Sequence, residues 1–146
     1  MKKTIYIVLI SLLFAGCQKK VAASDIPKIN GYWEIEKVIF PDGNKKEYAM
    51  NETYDYFEIN GNKGIRQKVS PQLDGTFLTS NDFENVEIKE NGGKYYLNYT
   101  TSFAKWKEEL VSISDAELVT LNDSKKEYHY KKAAAINIIP NGKKTQ

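Results

Sequence analysis

The sequence of 146 residues holds one cysteine, Cys17, one histidine, His129, and one arginine, Arg66. A single cysteine cannot form an internal disulfide, and with one histidine it excludes Cys/His zinc clusters and Cys–His catalysis. Only one long apolar run exists, Ile5 to Ala15, 11 residues interrupted by Tyr6 and Ser11. That falls short of the roughly 18 to 20 residues needed to cross a bilayer as a helix. Gly-x-Gly-x-x-Gly and phosphate-loop patterns are missing, and Gly61-Asn62-Lys63-Gly64 reads as a turn between strands with no following helix.

What is present begins with the leader. Lys2 and Lys3 precede the apolar run, and the small residues Ala15 and Gly16 precede Cys17. This is the layout of a cleaved secretory signal over residues 1–16. Phe14-Ala15-Gly16-Cys17 resembles the lipobox of bacterial lipoproteins, which implies cleavage before Cys17 and acylation of that cysteine with diacylglycerol and palmitate. Each buried CH₂ of such chains contributes about 0.8 kcal/mol to membrane binding. The expected location is therefore the cell envelope, with the membrane as partner through the anchor at Cys17. Lys19 and Lys20 follow the anchor, where surface-export tags of the bacteria this lipobox resembles are usually acidic, so the periplasmic side of the outer membrane is expected.

Removal of Lys2 and Lys3 turns 21 basic against 19 acidic residues into 19 against 19. A neutral mature chain gives no broad attraction to nucleic acid. Residues 17–29, including Gln18 to Lys28, are polar and rich in small residues and read as a tether, with room for one short turn at Ser24 to Pro27. A single domain follows over residues 30–132, then a tail over residues 133–146 that carries Ile136, Ile138 and Ile139.

Within the domain the apolar period is two. Trp33 and Ile35 alternate with Glu34 and Glu36, Phe57 and Ile59 flank Glu58, and Val86 and Ile88 alternate with Glu87 and Lys89. Strands are expected at 32–40, 45–50, 54–59, 65–69, 76–80, 86–89, 94–100, 107–113, 117–121 and 127–131. Turn chemistry separates them, as in Pro41-Asp42-Gly43-Asn44, Asn60-Gly61-Asn62 and Asn91-Gly92-Gly93. The expected class is all-β: an antiparallel up-and-down β-barrel of about 8 to 10 strands, because closure removes exposed edges. A β-sandwich would produce similar patterning.

Gly31-x-Trp33, in "NGYWEIEKV", resembles the first strand of lipocalin-type barrels. The span from Gly31 to Lys132 is similar to lipocalin-like lipoproteins of Bacteroidota-type bacteria, through "GIRQKVSPQLDGTF", "KYYLNYTTSFAKWKEEL", "ISDAELVTL" and a last strand with Tyr128, Tyr130 and Lys131. The resemblance implies a lipocalin-like barrel whose lower end is closed by the Trp33 indole, and binding of a small, largely apolar or amphipathic ligand. No arginine stands in the last strand to lie over that tryptophan.

Chemistry-bearing residues are sparse. His129 alternates with Tyr128 and Tyr130 in a terminal strand and reads as an exposed strand histidine. Adjacent Glu108 and Glu109 point to opposite faces, which prevents them from acting as an acid/base pair. Asp115, Glu117, Asn122 and Asp123 lack calcium-loop spacing. No enzyme activity, metal or cofactor is expected. Ten tyrosines, six phenylalanines and two tryptophans are the richer resource. The candidate ligand-binding residues are Trp33, Arg66 (on a face with Lys68), Tyr96 and Asn98 (on a face with Thr100), and Trp106. If these sets face the interior, an acidic or amphipathic ligand would supply the partners their burial demands. The alternative is a non-catalytic interaction module with a filled barrel, serving an envelope protein or glycan partner.

Overall fold

The computed structural model describes residues 19–133. The signal segment, Cys17 and the tail from residue 134 onward lie outside the described residues. Ten strands form one antiparallel sheet: β1 (Gly31–Ile39), β2 (Lys45–Glu47), β3 (Tyr54–Asn60), β4 (Lys63–Pro71), β5 (Phe77–Thr79), β6 (Glu84–Asn91), β7 (Lys94–Thr100), β8 (Lys105–Ile113), β9 (Glu117–Asn122) and β10 (Glu127–Lys132). Neighbours run β10-β9-β8-β7-β6-β4-β3-β1, and β10 pairs back onto β1, which closes an eight-stranded barrel. β2 and β5 are short additions, on β1 and β4 respectively. The barrel expected from the alternation is therefore what forms, because closure leaves no long unpaired edge.

Alternation sorts the side chains into an inner and an outer face. The inner face carries Trp33, Phe57, Ile59, Val86, Ile88, Leu97, Leu110 and Leu118, all buried in one core cluster. A bulge at Glu36 in β1 and another at Val111 in β8 shift the register and curve these strands around the core. Gly64 marks a closer approach: a Cβ there would lie 1.9 Å from the Glu58 carbonyl oxygen, so only glycine fits.

One end is plugged. Ala23–Ile29, within the stretch expected as tether, forms a 3-10 helix that buries Ile26 and Ile29 against the core. Its first turn is held by Asp25, which accepts hydrogen bonds from Ala22 N–H (3.0 Å) and Lys28 Nζ (2.7 Å). Those two bonds, the Lys28 one foremost, hold the Asp25 carboxyl below its ordinary pKa. Asn30 then clamps the helix to β3 through the Ile59 N–H and carbonyl, at 2.5 and 3.0 Å. The indole of Trp33 is fully buried and donates to the Ile29 carbonyl at 2.7 Å.

Candidate functional site

The other end of the barrel is lined differently. Residues directly opposite across an antiparallel pair share a face, so the register places Asp55 with Lys68, Phe57 with Arg66, and Arg66 with Glu84 on the inner wall. Tyr99 pairs with Trp106, Glu108 with Asn122, and Thr120 with Tyr128, again facing inward. The lower half of the interior is thus apolar and filled, while the half toward the mouth holds five charged groups, Asp55, Arg66, Lys68, Glu84 and Glu108, amid tyrosines.

Two ion pairs organise this cluster. Arg66 Nε donates to Glu84 Oε2 at 2.8 Å, and both side chains are largely shielded. Lys68 Nζ, at the end of an exposed side chain, lies 2.5 Å from the buried Asp55 Oδ1 and compensates its charge. The Arg66 guanidinium stacks 4.1 Å from the centroid of Tyr99 and 5.9 Å from that of Trp106. The two rings themselves stack at 5.2 Å with planes 17° apart. Burial alone would lower the Arg66 pKa; Tyr99, the Glu84 bond and the Asp55 charge more than reverse this, and the guanidinium stays a cation.

Glu108 is the third carboxyl of the cluster. Its Oε2 accepts from the Tyr99 hydroxyl at a long 3.3 Å, and no basic side chain pairs with it among the described residues. Burial pushes its pKa up, against the opposing charge of Arg66 and the nearby hydroxyls of Thr120 and Tyr99. Thr120 is 1% exposed, and its Oγ1 has no partner in hydrogen-bond geometry. Burial also raises the Tyr99 and Tyr130 phenols well above their ordinary value, keeping both neutral.

Of the candidates read from sequence, Arg66 and Trp106 meet at this mouth. Trp33 is the plug at the far end, where Lys132 Nζ lies 4.3 Å from its ring centroid. Tyr96 and Asn98 are not interior: they pair with Lys89 and Glu87 on the outer face, and Leu97 and Tyr99 take the inner positions. Tyr96 there lies under Lys107 (5.4 Å), and Asn98 donates to the Glu87 and Tyr96 carbonyls. Asn98 does border a depression of about 640 Å³ that Tyr99 and Trp106 also line and that Lys63, Lys89, Lys105 and Lys107 rim. His129 faces outward and is half-buried beside Glu127, at 2.5 Å. Sequence reading missed Asp55, Glu84, Glu108 and Thr120 as site residues. The phase of Leu110 and Leu118, each buried two positions away, would have assigned Glu108 and Thr120 to the inner wall. A concavity of about 270 Å³ opens at the mouth, lined by Lys68, Ser80, Asp82, Phe83, Glu84 and Thr101.

A plugged eight-stranded barrel opened by Gly31-x-Trp33 is matched by a family model described as a lipocalin-like domain, over residues 29–120. The chain belongs to the lipocalin-like family. Two solved structures resemble it: a lipocalin-like protein from Bacteroides uniformis ATCC 8492, at 9% identity, covering 73% of this chain and 99% of that one with a TM-score of 0.46, and an uncharacterized protein from Bacteroides eggerthii DSM 20697, at 9% identity, covering 71% and 98% with a TM-score of 0.45. Comparison with curated proteins finds no match. Lipocalin-like barrels are in general binding folds, and the polar mouth is where this one differs most from a filled core.

Proposed function

We propose that this lipocalin-like protein is a non-catalytic carrier or sensor that takes a small amphipathic ligand at the barrel mouth. The observation that carries this reading is the buried Thr120 Oγ1, without a partner in hydrogen-bond geometry, beside Glu108, a buried carboxyl that no basic side chain among the described residues pairs with, in a wall whose other carboxyls, Asp55 and Glu84, are ion-paired. An unmet buried polar group costs about 1–3 kcal/mol, which a ligand that satisfies it would recover. The filled lower barrel directs the ligand to the mouth. Its polar part would meet the Asp55–Arg66–Glu108 wall and its apolar part the Tyr99–Trp106 stack. The concavity of about 270 Å³ beside this wall, which shares Lys68 and Glu84 with its ion pairs, suits a small molecule rather than a long lipid tail.

The anchor at Cys17 and a periplasm-facing outer-membrane location belong to the same proposal. The 3-10 helix through which the chain enters lies at the plugged end, so a membrane tether on that side would turn the mouth away from the bilayer. A second reading, docking of an envelope partner over the mouth, is favoured by Leu73, Leu78, Phe83 and Phe103, large apolar side chains left exposed in or beside the connections at that end, Phe103 at 98%.

Native mass spectrometry of the full chain from its own membranes tests the first reading. A bound small molecule, released when Trp106→Ala is introduced, is expected. Recovery of the bare chain together with a stoichiometric protein partner would replace it with the second.

A further inference from the structure

The mouth reading leaves the ligand's chemistry open, and the charges on the inner wall narrow it. Arg66 is matched by Glu84 and Lys68 by Asp55, which leaves Glu108 without an ion pair among the described residues, felt only by the more distant Arg66 charge. Glu108 accepts from the hydroxyl of Tyr99, the ring that stacks on Trp106, and lies beside Thr120, whose buried Oγ1 is outside hydrogen-bond geometry with any partner. A buried carboxylate beside an aromatic stack and a buried hydroxyl is a surrounding that a compact cation completes. The carboxylate supplies charge, the hydroxyl an acceptor, and the Trp106 ring a cation–π contact, the Tyr99 face being taken by Arg66.

Resting on the mouth-binding reading above, we infer that the ligand is a small organic amine, whose protonated nitrogen pairs with Glu108 and Thr120 while its apolar part lies on Trp106. An anionic ligand is disfavoured at this position because it would meet three inward carboxyls, Asp55, Glu84 and Glu108, and a guanidinium already engaged by Glu84.

Equilibrium dialysis of the full chain in detergent against phenethylamine and 3-phenylpropionate, at pH 7.5, tests this with probes that differ mainly in the sign of charge. One equivalent of phenethylamine bound at least tenfold tighter than 3-phenylpropionate is expected, with at least a tenfold loss in Glu108→Gln and an unchanged melting profile or a higher one. Equal affinity for the two probes, or an unaltered amine affinity in Glu108→Gln, would overturn the inference. Preference for 3-phenylpropionate, lost in Arg66→Gln, would also overturn it while leaving the mouth as the binding site. Binding of neither probe overturns the amine assignment, and the mass-spectrometric result decides the mouth reading separately.

Discussion

Lys132 Nζ stands 4.3 Å from the centroid of the Trp33 ring and donates to the carbonyls of Lys28, at 3.0 Å, and Asn30. One side chain from the last strand thereby ties the first strand to the 3-10 helix across the plugged end. Gly31 permits the approach: its φ is +110°, and a Cβ would lie 3.2 Å from the Lys132 side chain. A shielded cation–π contact is worth up to about 2 kcal/mol, and each charge-assisted bond about 1.5–3 kcal/mol. Burial, however, pulls the ammonium's pKa down, so desolvation offsets part of this. Lys132→Met is expected to cost about 1–2 kcal/mol, read as a lower midpoint in urea unfolding, with Lys132→Arg restoring most of it. An unchanged midpoint in Lys132→Met would show that the plug is held by Ile26, Ile29 and Trp33 alone.

Gly64 gives a sharper prediction. The 1.9 Å separation between a Cβ and the Glu58 carbonyl oxygen cannot be relieved by a side-chain rotation, because the obstacle is backbone. Gly64→Ala must therefore pull β3 from β4 near the bottom of the barrel, at a cost of about 3 kcal/mol or more. Gly92→Ala, in an open turn with nothing within 4 Å, is the comparison and is expected to cost only the strain of its positive φ, about 1 kcal/mol. Similar midpoints for the two variants would contradict this account.

The strands were legible because the two-residue period and the Asn/Gly turns agree along most of the domain. The expected strand at 45–50 shortens to Lys45–Glu47 because the chain beyond it follows β1 through isolated bonds, Tyr48 N–H to the Glu36 carbonyl and Asn51 Nδ2 to the Ile35 carbonyl. Inside-outside phase was the weaker step in β7. Tyr95, Tyr96 and Tyr99 do not alternate cleanly, so the phase of that strand rests on Leu97, which selects the odd positions and sends Tyr96 and Asn98 outward. The last strand carries no arginine to lie over Trp33, yet a cation covers the ring. A lysine two residues after Tyr130 performs the same contact, which depends on charge and reach rather than on the guanidinium.

Glu108 sets a pH dependence with a definite sign. Its folded pKa is raised, above all by burial, so between the unfolded value and the folded value the native state binds more protons than the unfolded chain. Stability contributed by this group therefore falls as pH rises through that window. Glu108→Gln is expected to raise stability at pH 7 by on the order of 1–3 kcal/mol, the cost of a buried polar group short of partners, and to make little difference near pH 4. Asp25 runs the other way: its lowered pKa makes its contribution present above the unfolded carboxyl value and lost as pH falls through the folded one. Thermal melts of Glu108→Gln and Asp25→Asn between pH 3 and 8 should thus diverge in opposite directions from the parent chain. A Glu108→Gln melt that lies below the parent at pH 7 would sink the assignment.

The Arg66–Glu84 pair tests whether the mouth is built for binding or for stability. Removing one partner of a shielded pair leaves the other charge uncompensated, which typically costs about 3–5 kcal/mol, whereas removing both together is often close to neutral. Here Glu84 keeps 23% of its side-chain surface, so solvent relieves part of the penalty, and about 2–3 kcal/mol is expected for Arg66→Met. Arg66 carries a second duty that Glu84 does not, its 4.1 Å stack on Tyr99. The double variant Arg66→Met with Glu84→Gln should therefore recover most of the stability while leaving the Tyr99–Trp106 stack uncovered. Trp106 fluorescence, shifted to the red in Arg66→Met and in the double variant alike but unchanged in Glu84→Gln, would separate the stacking role of Arg66 from its ion pair. An identical spectrum in all three would mean that the guanidinium is held by charge alone.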